Sequence, residues 1–215
     1  MCNLYDIGRA RGLAYRSPET IWEETALEAL KKLDRTQGIR RTDPSLVLRN
    51  RAGSIEPGIT RWGFERHFNN AINNARSDKL DGIWSDAWRD RRRCVIPLTT
   101  FYEWNGPTGS KQTFAFQAGG EADWLWAVGL WEDSPAGECF TMLTTAASPQ
   151  VAPIHSRMPA LLEAEELEPF MTRDNPIDLL ESRDRGLSIF RCENPLKAPK
   201  KHDGPVAIDF LPGFG

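Results

Sequence analysis

Apolar residues in this chain come in short bursts rather than in long helical stripes. Leu46-Val47-Leu48, Cys94-Val95-Ile96, Trp124–Trp131 and Cys139–Thr144 are compact apolar runs bounded by polar or turn-forming residues, the pattern of buried strands. The same reading predicts strands over residues 3–6, Ser45–Arg49, Gly58–Phe64, Arg93–Pro97, Thr100–Trp104, Thr113–Gln117 and Leu187–Cys192. Gly106-Pro107-Thr108-Gly109 is a turn between two of them, so that region predicts a hairpin. Helical spacing is rarer. Ile21, Ala26, Leu30 and Leu33 keep it loosely, and Ser17 before Pro18 predicts an N-cap opening a helix that runs to Leu33. Shorter helices are predicted at Ser85–Asp90, Glu163–Met171 and Pro176–Ser182, and polar loops at 34–44 and Asn69–Asp81. Many short strands with few helices imply an α+β fold: curled antiparallel sheets, barrel-like, with the helices outside. No repeat, linker or low-complexity tract divides the chain, so a single domain over 1–215 is expected.

Composition agrees with a soluble globular protein: 40% hydrophobic and 27% charged residues in 215. Cys2, Cys94, Cys139 and Cys192 show neither CxxC nor Cys/His spacing, which argues against a metal site and a disulfide framework. No cofactor motif stands out. No apolar run approaches a membrane span and the N-terminus lacks an apolar signal core, so a reducing cytoplasm is the expected compartment. The net charge of −3 does not advertise nucleic acid, but Arg89, Arg91, Arg92 and Arg93 form a basic run that a basic face could use. Eight tryptophans are many for this length, and all but Trp22 fall between Trp62 and Trp131. Most belong in a core, and one or two exposed indoles could stack on nucleobases.

The chemistry begins at Cys2. If Met1 is removed, one residue carries a free α-amine and a thiol, spaced to close a five-membered thiazolidine on an aldehyde. Their ordinary pKa values, about 7.7–8 and about 8.5, leave useful fractions of both unprotonated near neutral pH. His155 has the pKa range for opening a cyclic sugar hemiacetal as a general acid. Glu103, between Tyr102 and Trp104, would be partly desolvated and so able to shuttle protons.

Three clusters join Cys2: Asn73-Asn74-Ala75-Arg76-Ser77-Asp78, then Arg92–Pro97 followed by Phe101-Tyr102-Glu103-Trp104, then His155-Ser156-Arg157-Met158-Pro159. In this order, with Trp126–Glu132 and Thr141–Ala147 between them, they resemble the SOS response-associated peptidase (SRAP) family over roughly residues 2–160. The resemblance implies binding of single-stranded DNA that carries an abasic site. It implies a thiazolidine crosslink through Cys2, self-catalysed removal of Met1, and lyase-like activity. It implies Asn74 beside Cys2, Glu103 and His155, with Arg76 and Arg157 as phosphate clamps, Thr144 as a hydroxyl contact to phosphate, and Trp62 and Trp104 as stacking residues. A monomer associated with the nucleoid when on DNA, with no metal and no membrane, completes that picture.

The chain departs from the family pattern at Arg41–Ser45, at Phe64–Phe68 and at Thr100, which stands in place of a glycine. Those departures concern DNA-facing loops more than aldehyde capture. Two other readings stay open on the residues alone. One is an N-terminal-nucleophile hydrolase acting on an amide through Cys2. The other is a DNA-binding module without chemistry.

Overall fold

In the computed structural model residues 2–8, 15–51, 54–120, 122–135, 137–197 and 209–210 are described, the last pair by backbone alone. In chain order the strands and helices are β1 (Leu4–Asp6), α1 (Ile21–Leu30), β2 (Ile39–Arg40), β3 (Pro44–Arg51), β4 (Ser54–Trp62), β5 (Phe64–Arg66), β6 (Asn69–Ile72) and β7 (Asn74–Arg76). They continue as α2 (Ser85–Arg89), β8 (Arg93–Leu98), β9 (Thr100–Asn105), β10 (Gln112–Gln117), β11 (Leu125–Ser134), β12 (Gly137–Ala146), β13 (Arg157–Pro159), β14 (Leu161–Leu162), α3 (Ala164–Thr172), β15 (Ser188–Cys192) and β16 (Asp209–Phe210). This is the α+β architecture the apolar pattern implied.

Two sheets carry the fold. One runs β16-β15-β10-β9-β1-β2. The other runs β13-β12-β4-β3-β8-β11-β14, and because β11 also pairs with β12, the strands β12, β4, β3, β8 and β11 close into a barrel. Closure brings backbones close at Gly129 on β11. A Cβ there would fall 2.3 Å from the Thr141 carbonyl oxygen of β12, so no side chain fits. The core is the inner faces of the strands, with Trp62, Tyr5, Phe64, Phe101, Phe116 and Phe140 fully enclosed.

Three expectations need correction. The first helix does not start at Ser17-Pro18. Thr20 is the N-cap, its Oγ1 accepting from the Glu23 N–H at 3.2 Å while the Glu23 carboxylate accepts from the Thr20 N–H at 3.3 Å. That reciprocal capping box outweighs a serine before proline. The polar stretch Asn69–Asp81 is not mostly loop: β6 pairs with β5, and β7 lies parallel on β12. Waiting backbone partners override the low strand propensity of Asn and Asp. The predicted helix at Pro176–Ser182 is a single tight turn at Ile177–Leu180.

The arginine run is also not an open basic face. Arg89 pairs with Asp86 and Asp90, Arg91 with Asp174, and Arg92 with Asp90. Arg93 is wholly buried and works as a structural clasp. Its Nη1 donates to the carbonyls of Phe170 at 3.0 Å and Arg173 at 2.6 Å, and its Nη2 to those of Asp174 at 2.7 Å and Trp88 at 3.3 Å. The guanidinium also lies 4.4 Å over the Trp88 ring. It therefore satisfies the open carbonyls at the end of α3 and ties them to α2 and β8. No helix among the described residues is long and apolar enough to cross a membrane.

Arg93→Ala leaves buried carbonyls without donors. It is expected to lower the free energy of unfolding by about 3 kcal/mol or more, measured by urea denaturation. A loss under about 1 kcal/mol would mean that α3 is held by other contacts.

Candidate functional site

The site is assembled around a pinned N-terminal strand. β1 lies between β9 and β2, with Tyr5 opposite Phe101 on one side and Ile39 on the other. The Tyr5 hydroxyl donates to Ser45 Oγ at 2.7 Å, and its ring meets Trp62 edge-on at 4.7 Å. Cys2 precedes this strand closely enough to be fixed by it and is fully buried. Its Sγ donates to the Leu4 carbonyl at 3.4 Å. Its own carbonyl accepts from Asn74 Nδ2 at 2.7 Å and from Asn73 Nδ2 at 3.4 Å.

Both asparagines come from β7 and the residue before it, held parallel on β12 with Asn74 opposite Met142. Asn73 is a residue that sequence reasoning missed. Its side chain also reaches Asn3 Oδ1 at 3.1 Å, and its carbonyl accepts from Trp62 Nε1 at 2.8 Å and from the Met142 N–H at 3.0 Å. It thereby links the N-terminus to the barrel. Its place beside Asn74 was the only sequence cue, because the second amide's partner is distant in the chain.

Glu103 sits on β9, opposite Phe114 and on the same face as Phe101. It is 1% exposed. Burial raises its pKa from the carboxylate range to about 7, with the positive charge of the chain's amino terminus pulling the other way. The Cys2 thiol is pushed far above its ordinary range, first by burial and then by the negative charge of Glu103. A thiol that stays protonated therefore stands beside a carboxylate able to take a proton near neutral pH.

His155 is half-buried in the segment leading to β13. Its Nδ1 is 3.0 Å from the Arg157 N–H nitrogen and 2.9 Å from the Arg157 carbonyl, accepting in one tautomer and donating in the other. Burial lowers its pKa below the ordinary imidazole value, which favours the neutral ring. A bond of 2.9 Å from Asn105 Nδ2 to the Pro153 carbonyl ties the histidine's segment to the end of β9.

The DNA-contact candidates separate into two groups. Arg76 and Arg157 converge from β7 and β13, which β12 joins through the pairs Thr144–Arg76 and Ala146–Arg157. Arg157 Nη2 donates to the Thr144 carbonyl and, at 3.3 Å, to its hydroxyl. Thr144 itself is fully buried, and its hydroxyl donates to the Ala75 carbonyl at 3.3 Å. It orients an arginine and presents no hydroxyl to a phosphate, which corrects the sequence-based role. Trp62 is likewise fully buried, stacked 6.4 Å from Phe140, so it is a core residue with no face for a base. Trp104 is half-buried and, one residue along the strand, faces away from Glu103.

Of the segments that depart from the family pattern, Arg41–Ser45 meets Trp62. The Trp62 N–H donates to the Asp43 carbonyl at 3.0 Å, and the Thr42 N–H donates to the Trp62 carbonyl at 2.7 Å. The β5–β6 hairpin that follows carries Phe68, 60% exposed and packed edge-on against His67 at 5.0 Å. An exposed aromatic thus lies in a short hairpin leading into the asparagine pair.

Comparison with known proteins places the chain in a family and a fold. A family model described as SOS response associated peptidase (SRAP) matches residues 8–187. The abasic site processing protein HMCES of Gallus gallus is 31% identical over an alignment covering 43% of this chain and 35% of that protein, so the match spans about a third of the relative's length. A solved protein from Bordetella bronchiseptica superposes with a TM-score of 0.67 at 20% identity, covering 90% of this chain and 100% of its own. A solved protein from Bacteroides thetaiotaomicron gives 0.63 at 18% identity, covering 78% and 83%. At such identities the two structures share the fold.

The raised pKa of Glu103 has a consequence for stability. The folded state keeps its proton up to about pH 7, while the unfolded carboxyl loses it near 4.5, so stability falls as pH rises through that window. Glu103→Gln removes the penalty. Relative to wild type it is expected to gain nothing below pH 4.5 and up to about 3 kcal/mol above pH 7, measured by urea unfolding across that range. A gain independent of pH would show that the carboxylate is not desolvated.

Proposed function

The chain belongs to the SOS response associated peptidase family, and from that premise we propose that it captures the aldehyde of an abasic site in single-stranded DNA through the amine and thiol of Cys2. The observation that carries this reading is the placement of Cys2. It is enclosed, held through its carbonyl by two amides, and set beside a carboxylate whose pKa lies near 7.

The amine exists once Met1 is gone. We assign that removal to the same thiol and carboxylate. The thiol attacks the Met1 carbonyl, the Cys2 nitrogen leaves as an amine by taking the thiol proton, and water hydrolyses the thioester to free methionine and the thiol. Asn73 and Asn74 hold the carbonyl of Cys2, so their part is to position the residue.

Capture then proceeds by proton movements these side chains can make. Neutral His155 takes the proton of the C1′ hydroxyl and returns it to the ring oxygen, which opens the hemiacetal. The Cys2 amine attacks C1′. Glu103 carries the two protons of the new ammonium, one after the other, to the C1′ oxygen, which leaves as water, and an imine remains. The thiol sulfur then bonds to C1′, and its proton passes through Glu103 to the nitrogen. One aldehyde, one amine and one thiol give one thiazolidine and one water. A carboxyl near pKa 7 can serve both as acid and as base in this sequence. Arg76 and Arg157 lie close together on β7 and β13, where they can meet the phosphates that flank the lesion. Phe68 offers the exposed aromatic face that Trp62 lacks.

Cys2→Ala is expected to abolish the denaturation-resistant adduct with an abasic oligonucleotide, read on a denaturing gel and by intact mass. Cys2→Ser, prepared with Met1 already removed by an added aminopeptidase, keeps the amine and should give an imine that borohydride traps, without a stable ring. His155→Gln should slow adduct formation by about 100-fold or more. An undiminished adduct with Cys2→Ala would end this reading.

A further inference from the structure

Two guanidiniums from separate strands converge on one carboxylate. Asp78 Oδ1 accepts from Arg76 Nε at 3.0 Å, Asp78 Oδ2 accepts from Arg76 Nη2 at 2.6 Å, and Asp78 Oδ1 lies 3.4 Å from Arg157 Nη1. The carboxylate is 53% exposed, whereas the Arg157 side chain is 15% exposed and fixed from behind by Thr144. Asp78 rides a turn just past β7. The turn is pinned by the Ser77 N–H on the Thr144 carbonyl at 2.9 Å and closed by the Lys79 N–H on the Arg76 carbonyl at 3.1 Å. The arginines are therefore anchored in the sheet, while the acid sits on the rim, where its side chain can rotate away without breaking a strand pair.

We propose that Asp78 stands in for a DNA phosphate in the unbound protein and must be displaced when a phosphodiester takes its place between Arg76 and Arg157. This rests on the DNA reading above and deepens it. A phosphodiester offers guanidinium the same pair of oxygens as a carboxylate. An exposed ion pair is weak enough to yield to it. With the acid present the three groups sum to one positive charge, and without it to two. Asp78 thus holds down the affinity for undamaged single strands, where no covalent bond follows. It leaves capture to those encounters in which Cys2 finds an aldehyde. It also keeps the two guanidiniums from repelling each other in the free protein.

The test is binding of an unmodified single-stranded oligonucleotide by the full chain, followed by fluorescence anisotropy over a salt series, for wild type, Asp78→Asn, Asp78→Glu and Arg76→Gln. Asp78→Asn is expected to bind about 3- to 10-fold more tightly at low salt, with a log–log salt slope steeper by about 0.7 for the one further phosphate contact. Asp78→Glu should return both quantities to near the wild-type values, and Arg76→Gln should weaken binding. Equal or weaker binding by a folded Asp78→Asn, checked by its thermal unfolding, would overturn the stand-in role and make Asp78 a support for the arginines. Absence of binding by wild type and every variant would instead remove the DNA reading on which the proposal rests.

Discussion

Everything at the site follows from Tyr5 being locked in place. Its hydroxyl is spent on buried Ser45, its ring is wedged against Trp62, and its backbone is held between β9 and β2. An N-terminus is ordinarily among the least ordered parts of a chain unless it is tied into a sheet. Here the tie is made within a few residues of the start, so Cys2 inherits the rigidity of the barrel. The entropy of ordering this residue is thereby met by folding. Trp62 is the other half of the lock. It packs on Tyr5, donates to Asn73, and receives the 42–43 turn, so the amides on Cys2 and the strand that carries Cys2 share one anchor.

That anchor places charge where water is scarce. Glu103 and Cys2 sit in a medium that disfavours both anions, and each proton is held more firmly than it would be in solvent. The consequence is a proton reservoir rather than a standing thiolate. It suits a reaction in which protons must be moved several times and no net charge is created. His155 follows the same logic: burial lowers its pKa and so favours the neutral ring.

Most arginines of the protein are committed to its own acids and carbonyls. Arg93 clasps α3, Arg49 and Arg51 share Glu138, and Arg66 holds Glu132. Even Arg76 and Arg157 meet Asp78. Among the described residues this leaves a small cationic cluster at Arg76 and Arg157 rather than a broad basic surface.

Residue order alone determined the strands, because compact apolar runs such as Leu46–Leu48, Cys94–Ile96 and Trp126–Leu130 cannot be satisfied except by burial on both sides. It also determined the chemistry on offer: a cysteine next to Met1 with Asn74, Glu103 and His155 in a recognisable order. What it could not specify were partners across the fold. Asn69–Arg76 looked like loop until β5 and β12 supplied ladders for it. Trp62 and Thr144 looked available to DNA until closure of the barrel buried them, and Arg93 looked like surface charge until the end of α3 arrived above it. Asn73 and Asp78 met their partners only when β7 was laid near the N-terminus and across β12 from β13. Local pattern decides which atoms must leave water. Only the tertiary structure decides which atoms they meet there, because those contacts join residues scores of positions apart and leave no trace in spacing.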